Sequence, residues 1–545
     1  MRRFTGPFAL AIIVTLANAA KPVVVDDTAY LAYARHIAQH PLDPYGFTIH
    51  WYTFPEPAMD VLAPPVLPYW LALGIGLFGE HIFLLKLWLF PFLWCFTYSL
   101  DVLLRRFARG TERFALPLIV LSPAVLPTVN LMLDIPAAAL GLAALAMFMA
   151  ACDRDDWKRA MLAGLIAGLA MQTKYTGLVA TAAILWYGFL TRRKIRPTIV
   201  AGAVAAMIFV AWEGLLLLKY GESHFLHHLA EQREASGSLW HWWGEKLDLL
   251  PGLAGHLGCL GIAIALLAAH SLGLSNRRTV IVAVFWSLFV ALVLLTPGVA
   301  IRARNVWRPV GTFALIAALS CAYVLWVHRK PLRLRPPKFV IGWVLLELAG
   351  YFALTPFPAA RRVIGYTIAS GVLVARLASR RQRIDSARAP PRWLLAFGIS
   401  IGLLVAALDT LDAYPEKVLA ERAAEQLRGE KRVWFAGHWG FQYYCESAGF
   451  TMLIPGQTVV QPGECLVLPL HPNDDQFHRP HIGLVPLAPP ADSVELLRVL
   501  EWDDWLTART IPNFYGGNDP IEGHRGPRLR VGLYRFTKPW AVPGR

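Results

Sequence analysis

The chain has 545 residues, of which 56% are hydrophobic and only 16% are charged. Soluble globular domains usually contain about 25% charged residues, so this composition excludes an ordinary soluble protein. Apolar runs long enough to cross a bilayer recur throughout residues 1–410, which predicts a polytopic α-helical membrane protein.

The formal net charge of +15 is distributed unevenly along the chain. Residues 411–545 contain 14 Lys and Arg against 16 Asp and Glu, whereas residues 1–410 contain 38 against 21. The basic excess lies in short loops between apolar runs, as the positive-inside rule predicts for cytoplasmic loops. The charge therefore indicates membrane orientation and gives no support for a nucleic-acid partner.

The first segment, "MRRFTGPFALAIIVTLANAA", combines two arginines, an apolar core and a small-residue "ANA". This pattern is typical of a cleaved signal peptide and also of a retained first transmembrane helix. Retention is favoured because many more apolar segments follow and none of them needs a removable signal. Both interpretations place the residues that follow on the outer side of the membrane.

Clusters of Arg and Lys, such as "LLRRFARGTER" and "TRRKIR", predict the cytoplasmic turns. Threading the chain between these clusters predicts thirteen transmembrane helices, with the N-terminus in the cytoplasm. The predicted helices lie near residues 5–21, 81–104, 114–131, 136–151, 160–172, 176–190, 198–218, 252–274, 279–297, 310–327, 339–355, 363–378 and 393–410.

Two regions fall outside this series of helices. The segment "PPVLPYWLALGIGLFG" (64–79) is interpreted as a juxtamembrane helix in the first outer loop (22–80), because counting it as a span would place a basic cluster outside. Residues 411–545 contain a predicted helix at 415–429 and strand patterns such as "ECLVLPL" and "RLRVGLYRF". The sequence therefore predicts a membrane domain at 1–410 and a small extracytoplasmic α/β domain at 411–545.

The stretch "NAAKPVVVDDTAYLAYARHI" places two adjacent carboxylates, Asp26 and Asp27, where the first predicted helix meets the outer surface. Asp134 and Lys174 fall in turns on the same side. A carboxylate can act as a general base on a hydroxyl, and Lys and Arg can hold a phosphate. The pattern favours a reaction on a lipid-linked phosphate. The other candidates on this side are Tyr30, Glu56, His228, Arg302, Arg304, Arg361 and Arg362.

Each of these residues also has a purely structural interpretation. The Asp26–Asp27 pair could cap the helix that follows it, and Asp134 could be an ordinary helix start. Lys174 could extend its amine to the membrane interface. The histidines of the "HFLHH" segment and the outer arginines could contact lipid headgroups. The functional interpretation rests on their shared side of the membrane.

Four short motifs of this chain, in order, resemble those of the GT-C membrane glycosyltransferases. The resemblance is to the family 39 branch that contains protein O-mannosyltransferases and the lipid A aminoarabinose transferase. "DDTAY" stands where that branch has an acidic pair followed by an aromatic residue. "APPVLPYWLALGIGLFG" resembles its juxtamembrane proline motif, and "LDIP" and "QTKYTG" resemble two of its outer turns.

The resemblance implies an inverting glycosyltransferase of about thirteen-helix GT-C type in the inner (plasma) membrane of a bacterium. It would move a sugar from a polyprenyl-phosphate donor to an acceptor hydroxyl on the outer face. Asp26 would be the general base with Asp27 as its companion, and the sequence leaves open which of the two is the base. Lys174, Asp134 and an outer arginine would form the site for the donor phosphate.

The chain departs from the family at one important position. The aminoarabinose transferases have Glu-Lys before the juxtamembrane proline, whereas this chain has Ala63 and Pro64. The phosphate would then have to be held by Lys174 or by the outer arginines, and Glu56 and Asp60 are alternative acids. The absence of a second acidic motif after the acid pair favours no cofactor, and a divalent cation held by acids, as in some GT-C enzymes, is the less favoured alternative. The acceptor stays unidentified.

Two interpretations from other classes compete with an enzyme. A lipid or solute transporter would carry ionisable residues near the middle of its spans, where this chain has few, chiefly Lys86 and Glu347. A scaffold protein would use its outer domain to bind a partner and leaves the clustered acids unexplained. The sequence favours the glycosyltransferase.

Overall fold

The computed structural model of the chain describes residues 2–51, 54–61, 63–191, 195–234, 239–296, 304–327, 335–470, 489–523 and 526–544. Helices dominate as far as residue 426, and a small mixed sheet follows. The predicted Arg302 lies outside the described residues.

The first half of the chain consists of helices joined by short turns. The helices are α1 (Arg2–Ala19), α2 (Asp27–Gln39), α3 (Val66–Phe78), α4 (Ile82–Trp88), α5 (Phe90–Phe107), α6 (Glu112–Val120), α7 (Asp134–Arg154), α8 (Trp157–Met171), α9 (Leu178–Leu190) and α10 (Ile195–Tyr220). Between α2 and α3 lies a hairpin of β1 (Thr48–His50) and β2 (Pro55–Pro57). Short 3₁₀ turns lie at Ala58–Asp60, Leu126–Thr128 and Tyr175–Gly177.

The second half begins with eight further helices. They are α11 (His224–Glu234), α12 (Leu239–Leu260), α13 (Ile262–Leu272), α14 (Asn276–Leu295), α15 (Arg304–Val327), α16 (Arg335–Leu354), α17 (Ile364–Ile384) and α18 (Arg392–Gln426). A 3₁₀ turn at Ala360–Val363 leads into α17, which is buried along most of its length and packs against α13, α15 and α16.

Six helical segments of the described chain are long and apolar enough to cross a membrane, and a seventh is obtained if α12 and α13 count as one span bent by 80°. The prediction of a polytopic helical membrane protein is confirmed. The six segments are Ile82–Phe107, Asp134–Arg154, Ile195–Tyr220, Val306–Val327, Pro336–Leu354 and Arg392–Gln426.

The segment predicted as a span at 114–131 is not a continuous helix. Helix α6 ends at Val120, and the chain then runs through turns and a 3₁₀ turn to Asn130. Pro123 and Pro127 lie in this stretch, and a proline cannot donate the hydrogen bond that would continue an α-helix. The prediction of a full span here is therefore wrong, although residues 118–131 are all buried.

The described residues between 433 and 541 form a five-stranded mixed sheet with the strand order β4-β3-β6-β10-β7, and two short two-stranded pairs, β5 with β11 and β8 with β9, lie beside it. Strand β6 is buried on both faces, packed between α18 and α19 on one side and a second apolar cluster on the other. The elements are β3 (Val433–Phe435), α19 (Trp439–Ser447), β4 (Thr451–Met452), β5 (Val459–Val460), β6 (Cys465–Leu470), β7 (Val494–Trp502), β8 (Ala508–Arg509), α20 (Ile511–Phe514), β9 (Glu522–Gly523), β10 (Leu529–Phe536) and β11 (Trp540–Ala541).

Helix α18 joins the membrane helices to this sheet without a break. It has 35 residues, and it passes through the predicted domain boundary at 410 and 411. Its last turns place Leu419, Ala420 and Ala423 in the core of the sheet, each fully buried. The orientation of the sheet therefore follows the axis of a helix that begins among the membrane spans.

A buried ionic network ties the end of α1 to the C-terminal residues. Lys21 forms an ion pair with Asp409 of α18 and donates hydrogen bonds to the carbonyl oxygen of Pro127 at 3.2 Å and to Oη of Tyr515 at 2.9 Å. Asp409 also accepts hydrogen bonds from Tyr515 at 2.8 Å and Thr510 at 2.9 Å. The side chains of Lys21 and Asp409 are 1% and 0% exposed, so neither charge has water as an alternative partner.

The first prediction concerns this network. Lys21→Met should destabilise the protein by about 3–5 kcal/mol, because it leaves the Asp409 carboxylate buried without its cation. The measurement is the thermal unfolding midpoint of the purified protein in detergent. Lys538→Met, which removes an ion pair on the surface with Asp492, is the matched control and should leave the midpoint unchanged. Equal midpoints for the two variants would show that the network contributes nothing to stability.

Candidate functional site

Four charged residues from four separate segments form a chain of alternating sign. Arg361 forms an ion pair with Asp26 through Nη1, and the same nitrogen lies 4.0 Å from Oδ2 of Asp134. Lys174 forms an ion pair with Oδ1 of Asp134. The exposed fraction of these side chains lies between 5% and 16%. We refer to Asp26, Arg361, Asp134 and Lys174 as the charge chain.

The local fold delivers each member of the charge chain from the end of an element. Asp134 is the first residue of α7, where the helix dipole favours an acid. Arg361 lies in the 3₁₀ turn before α17, and Lys174 is the extended residue between α8 and the 3₁₀ turn Tyr175–Gly177. The sequence predicted that these residues share one side of the membrane, and the structure brings them into contact.

The two neighbouring acids occupy different surroundings. Val25, just before them, has φ of +44°, a strained value for a β-branched residue. Asp26 precedes α2 but makes no cap hydrogen bond with its side chain, and it faces Arg361 instead. The interpretation of the pair as a helix start is therefore correct in position, since Asp26 is the N-cap residue of α2 and Asp27 its first-turn acid, but the Asp26 side chain does not cap the helix.

Asp27 is enclosed. Its side chain is 0% exposed and accepts a hydrogen bond from the Val24 amide at 3.3 Å, with the amine of Lys86 3.9 Å away. Lys86 itself donates to the carbonyl oxygens of Lys21 and Pro22 at 2.7 and 3.1 Å. Burial raises the pKa of Asp27 to about 6, an effect that Lys86 partly offsets. Asp26 is therefore the acid of the pair that a substrate can reach.

Tyr30 lies one helical turn after Asp26. Its amide donates to the Asp26 carbonyl oxygen at 3.1 Å, and its side chain is 6% exposed. Burial raises the pKa of its phenol, the charges of Asp26 and Asp134 raise it further, and the charge of Arg361 partly offsets the increase. The aromatic residue of "DDTAY" thus lies within the field of the charge chain.

A cavity of about 100 Å³ opens beside the charge chain, between α7, α9, α16 and α17. Asp134, Lys174, Arg361 and Arg362 line it where α7 and α17 begin, and further along these helices the lining is mostly apolar apart from the Glu347 carboxyl of α16. Along α7 the lining extends from Asp134 to Leu145, which is about 17 Å of helix. The apolar lining residues include Leu142, Leu145, Val179, Ile364 and Ile368.

Arg362 is the cation of this cavity that has no acidic partner. Among the described residues no carboxylate lies within 4.0 Å of its guanidinium, which stacks on Phe357 with 4.2 Å from Cζ to the ring centroid. Burial, followed by the charge of Arg361, lowers the pKa of Arg362 to about 10, so it stays charged at neutral pH. The positive charges of Lys174 and Arg361 are balanced by the negative charges of Asp26 and Asp134. Arg362 adds one uncompensated positive charge, so this end of the cavity is suited to binding an anion.

Three other predicted residues lie elsewhere in the structure. Glu56 is on β2, opposite Ile49, and its charge acts on the phenol of Tyr33. His228 is on α11, where it contacts Glu231 and His224 at 3.2 and 3.3 Å. Arg304 begins α15, and its side chain lies outside the described residues. Their part in a donor site stays a prediction.

Sequence reasoning missed the part that Lys86, Glu347 and Trp343 play. Glu347 and Trp343 line the cavity, where the Trp343 indole donates to Glu347 at 2.9 Å. Lys86 lies beside Asp27, as described above. Lys86 and Glu347 stood out in the sequence as charges within apolar helices, and this signal could have placed both near the site.

One group of described side chains has the composition and spacing of metal ligands. It consists of Asp60, Glu222 and His227, whose ligand atoms lie within 4.8 Å of one another. It shares no residue with the charge chain. The sequence predicted no metal.

Comparisons with solved structures find similar but distant proteins. The oligosaccharyltransferase of Archaeoglobus fulgidus in the apo form is 15% identical with a TM-score of 0.48, covering 82% of this chain and 64% of that one. ArnT from Cupriavidus metallidurans bound to undecaprenyl phosphate is 17% identical with a TM-score of 0.42, covering 85% and 92%. The chain thus spans less than two thirds of the archaeal protein. No curated protein matches the sequence.

A family model gives a more specific result. Residues 63–213 match the model described as dolichyl-phosphate-mannose-protein mannosyltransferase. The matched segment begins at the juxtamembrane proline motif and contains both Asp134 and Lys174. Over residues 63–213 the match confirms the resemblance predicted from the sequence, to the family 39 branch of the GT-C glycosyltransferases.

Proposed function

We propose that the protein is a glycosyltransferase that moves a sugar from a polyprenyl-phosphate donor to an acceptor hydroxyl. The observation that carries this proposal is the cavity, because its cationic end and its apolar end match the two parts of such a donor. The phosphate would lie at Lys174, Arg361 and Arg362, and the prenyl chain would follow α7 and α17 into the membrane. The family match over residues 63–213 supports the same class of reaction.

The three cations would act on the leaving group. When the bond between the anomeric carbon and the phosphate oxygen breaks, negative charge grows on the lipid phosphate. Hydrogen bonds from charged donors to that oxygen are stronger than neutral ones, and they lower the barrier if they strengthen as the charge develops. Arg362 is the best placed of the three, since no carboxylate competes for it.

Asp26 would be the general base. The acceptor oxygen attacks the anomeric carbon, its proton passes to Asp26, and the lipid phosphate leaves from the opposite face with inversion. This is supported by the position of Asp26 at the exposed edge of the charge chain, whereas Asp27 is enclosed. A donor phosphate that takes a hydrogen bond from Arg361 would also free the Asp26 carboxylate to accept the proton.

The proposed setting is the outer face of a bacterial inner membrane, with a cytoplasmic N-terminus and residues 411–545 as an extracytoplasmic domain. Helix α7 supports this orientation. Asp134 is at its first turn, and at its other end Asp153 pairs with Arg106 of a basic cluster. The 21 residues of α7 span about 30 Å, which is the thickness of the hydrocarbon core.

The second prediction tests the base. Asp26→Asn should lower the transfer rate by about 10²–10⁴-fold, the usual contribution of a general base, and should leave donor binding intact. The measurement is transfer from radiolabelled polyprenyl-phosphate sugars to a membrane extract, with donor binding assayed in parallel. Asp492→Asn, at an exposed surface position, is the matched control and should be fully active. A fully active Asp26→Asn variant would show that Asp26 is not the general base. If the wild-type protein neither bound nor consumed any donor, the transporter interpretation would be favoured instead.

The third prediction tests the phosphate site. Arg362→Gln should weaken binding of the polyprenyl-phosphate by about 10- to 100-fold, because a hydrogen bond to a charged group contributes about 1.5–3 kcal/mol. Binding of a fluorescent polyprenyl-phosphate to the purified protein measures this directly. Arg388→Gln, at an exposed arginine that pairs with Asp385, is the control and should bind like wild type. Unchanged affinity of Arg362→Gln would place the phosphate elsewhere.

A further inference from the structure

Helix α17 has a group of arginines at each end. Arg361 and Arg362 precede its first residue, beside the charge chain, whereas Arg376, Arg380 and Arg383 lie in its last three turns. The 21 residues of α17 extend for about 30 Å, so the second group lies near the opposite surface of the membrane. We refer to Arg376, Arg380 and Arg383 as the basic patch.

The three arginines of the basic patch lie on one face of α17, because their spacing is i, i+4 and i+7. Arg376 donates from Nη1 to the carbonyl oxygen of Phe107 at 2.8 Å, and Arg383 donates from Nη2 to the carbonyl oxygen of Arg109 at 2.9 Å. The charges of Arg380 and Arg383 act on Arg376. This face is therefore directed at the end of α5, and three like charges are gathered there.

The structural interpretation is that these arginines cap the end of α5, whose last carbonyl groups have no partner within the helix. A carbonyl oxygen carries no net charge, however, so these hydrogen bonds leave the repulsion between the arginines uncompensated. Arg388, a few residues further along, is balanced by Asp385 at 3.2 Å. No ion pair of the described residues joins Arg376 or Arg383 to a carboxylate. The basic patch therefore lacks an anion.

The surroundings of the basic patch are those of a membrane interface. Ile384, the last residue of α17, is 72% exposed, and Trp393 is the second residue of α18 after a short turn. Tryptophan is enriched at the level of the lipid headgroups. Phe107 stacks on Phe339 of α16 with 5.2 Å between ring centroids, and Lys338 comes directly before Phe339. Apolar side chains and a further cation thus border the patch.

We propose that the basic patch binds the headgroup of an anionic phospholipid, in the leaflet opposite to the one that contains the charge chain. The phosphodiester supplies the negative charge that the patch lacks, and guanidinium groups bind phosphate oxygens in bidentate fashion. Basic pockets between membrane helices on the cytoplasmic side are suited to such headgroups. A lipid fits better than a free phosphate, because the exposed Ile384 offers an apolar contact to an acyl chain.

The bound lipid would connect the ends of α5, α16 and α17. Its site shares no residue with the charge chain and lies at the other end of α17. Lipid binding therefore does not depend on the proposed transfer reaction, and the two proposals can fail separately.

The fourth prediction follows from this proposal. The full chain is purified in a neutral detergent, and binding of a fluorescent phosphatidylglycerol is measured, with a fluorescent phosphatidylcholine in parallel. Wild type should bind phosphatidylglycerol saturably and more tightly than phosphatidylcholine. Arg376→Gln and Arg383→Gln should each weaken phosphatidylglycerol binding by about 5-fold, which is the usual contribution of one basic residue near an anionic membrane surface.

Arg388→Gln is the matched control, since it removes one positive charge from the segment directly after α17, at an arginine that pairs with Asp385. It should bind phosphatidylglycerol like wild type. An equal loss of affinity in Arg388→Gln would overturn the proposal, because the lipid would then respond only to the general surface charge.

Equal affinity of wild type for the two lipids would also overturn the proposal. Displacement of phosphatidylglycerol by millimolar inorganic phosphate would do the same, since the patch would then be a site for a soluble anion. Arg383 is exposed, so Arg383→Gln decides the question even if Arg376→Gln does not fold.

Discussion

The pairing of four scarcely exposed charges is the constraint on which the site depends. Arg361 cannot stand alone at 8% exposure, and it is held by Asp26, which lies 335 positions earlier in the chain, and by Asp134. Lys174 closes the series on the other side of Asp134. A buried ion left without its partner costs several kcal/mol, so the starts of α2, α7 and α17 and the end of α8 must converge for any of these residues to be tolerated. Positioning of the site and stability of the fold are thus one requirement.

The sequence could predict that Asp26, Asp134 and Lys174 lie near one another. Hydropathy and the basic clusters predict which end of each helix is cytoplasmic, and Asp26, Asp134 and Lys174 all fall at ends without a basic cluster. Most predicted helices are present, because each is a long apolar run bounded by charged residues. The segments "LDIP" and "QTKYTG" identified Asp134 and Lys174 without any knowledge of their contacts.

The sequence could not separate Asp26 from Asp27, because their difference arises from contacts with residues far along the chain. Arg361 forms an ion pair with Asp26, whereas Lys86 and the backbone enclose Asp27. The interruption after Val120 was missed since the apolar run continues through Pro123 and Pro127, and hydropathy does not record hydrogen bonding. The sequence could not distinguish Arg362 from the other outer arginines, because its lack of an acidic partner depends on the side chains that surround it in the folded chain.

The network around Lys21 has a consequence for how the protein is made. Lys21 is synthesised well before Tyr515, one of its partners, which follows 494 positions later in the chain. Its ion-pair partner, Asp409, also needs Thr510 and Tyr515 to complete its hydrogen bonds. The buried link between Lys21 and Asp409 is therefore completed late, after residues 510–515 have been synthesised. A chain that ends before these residues lacks the hydroxyl groups that complete the network, and the end of α1 is then held to α18 less firmly.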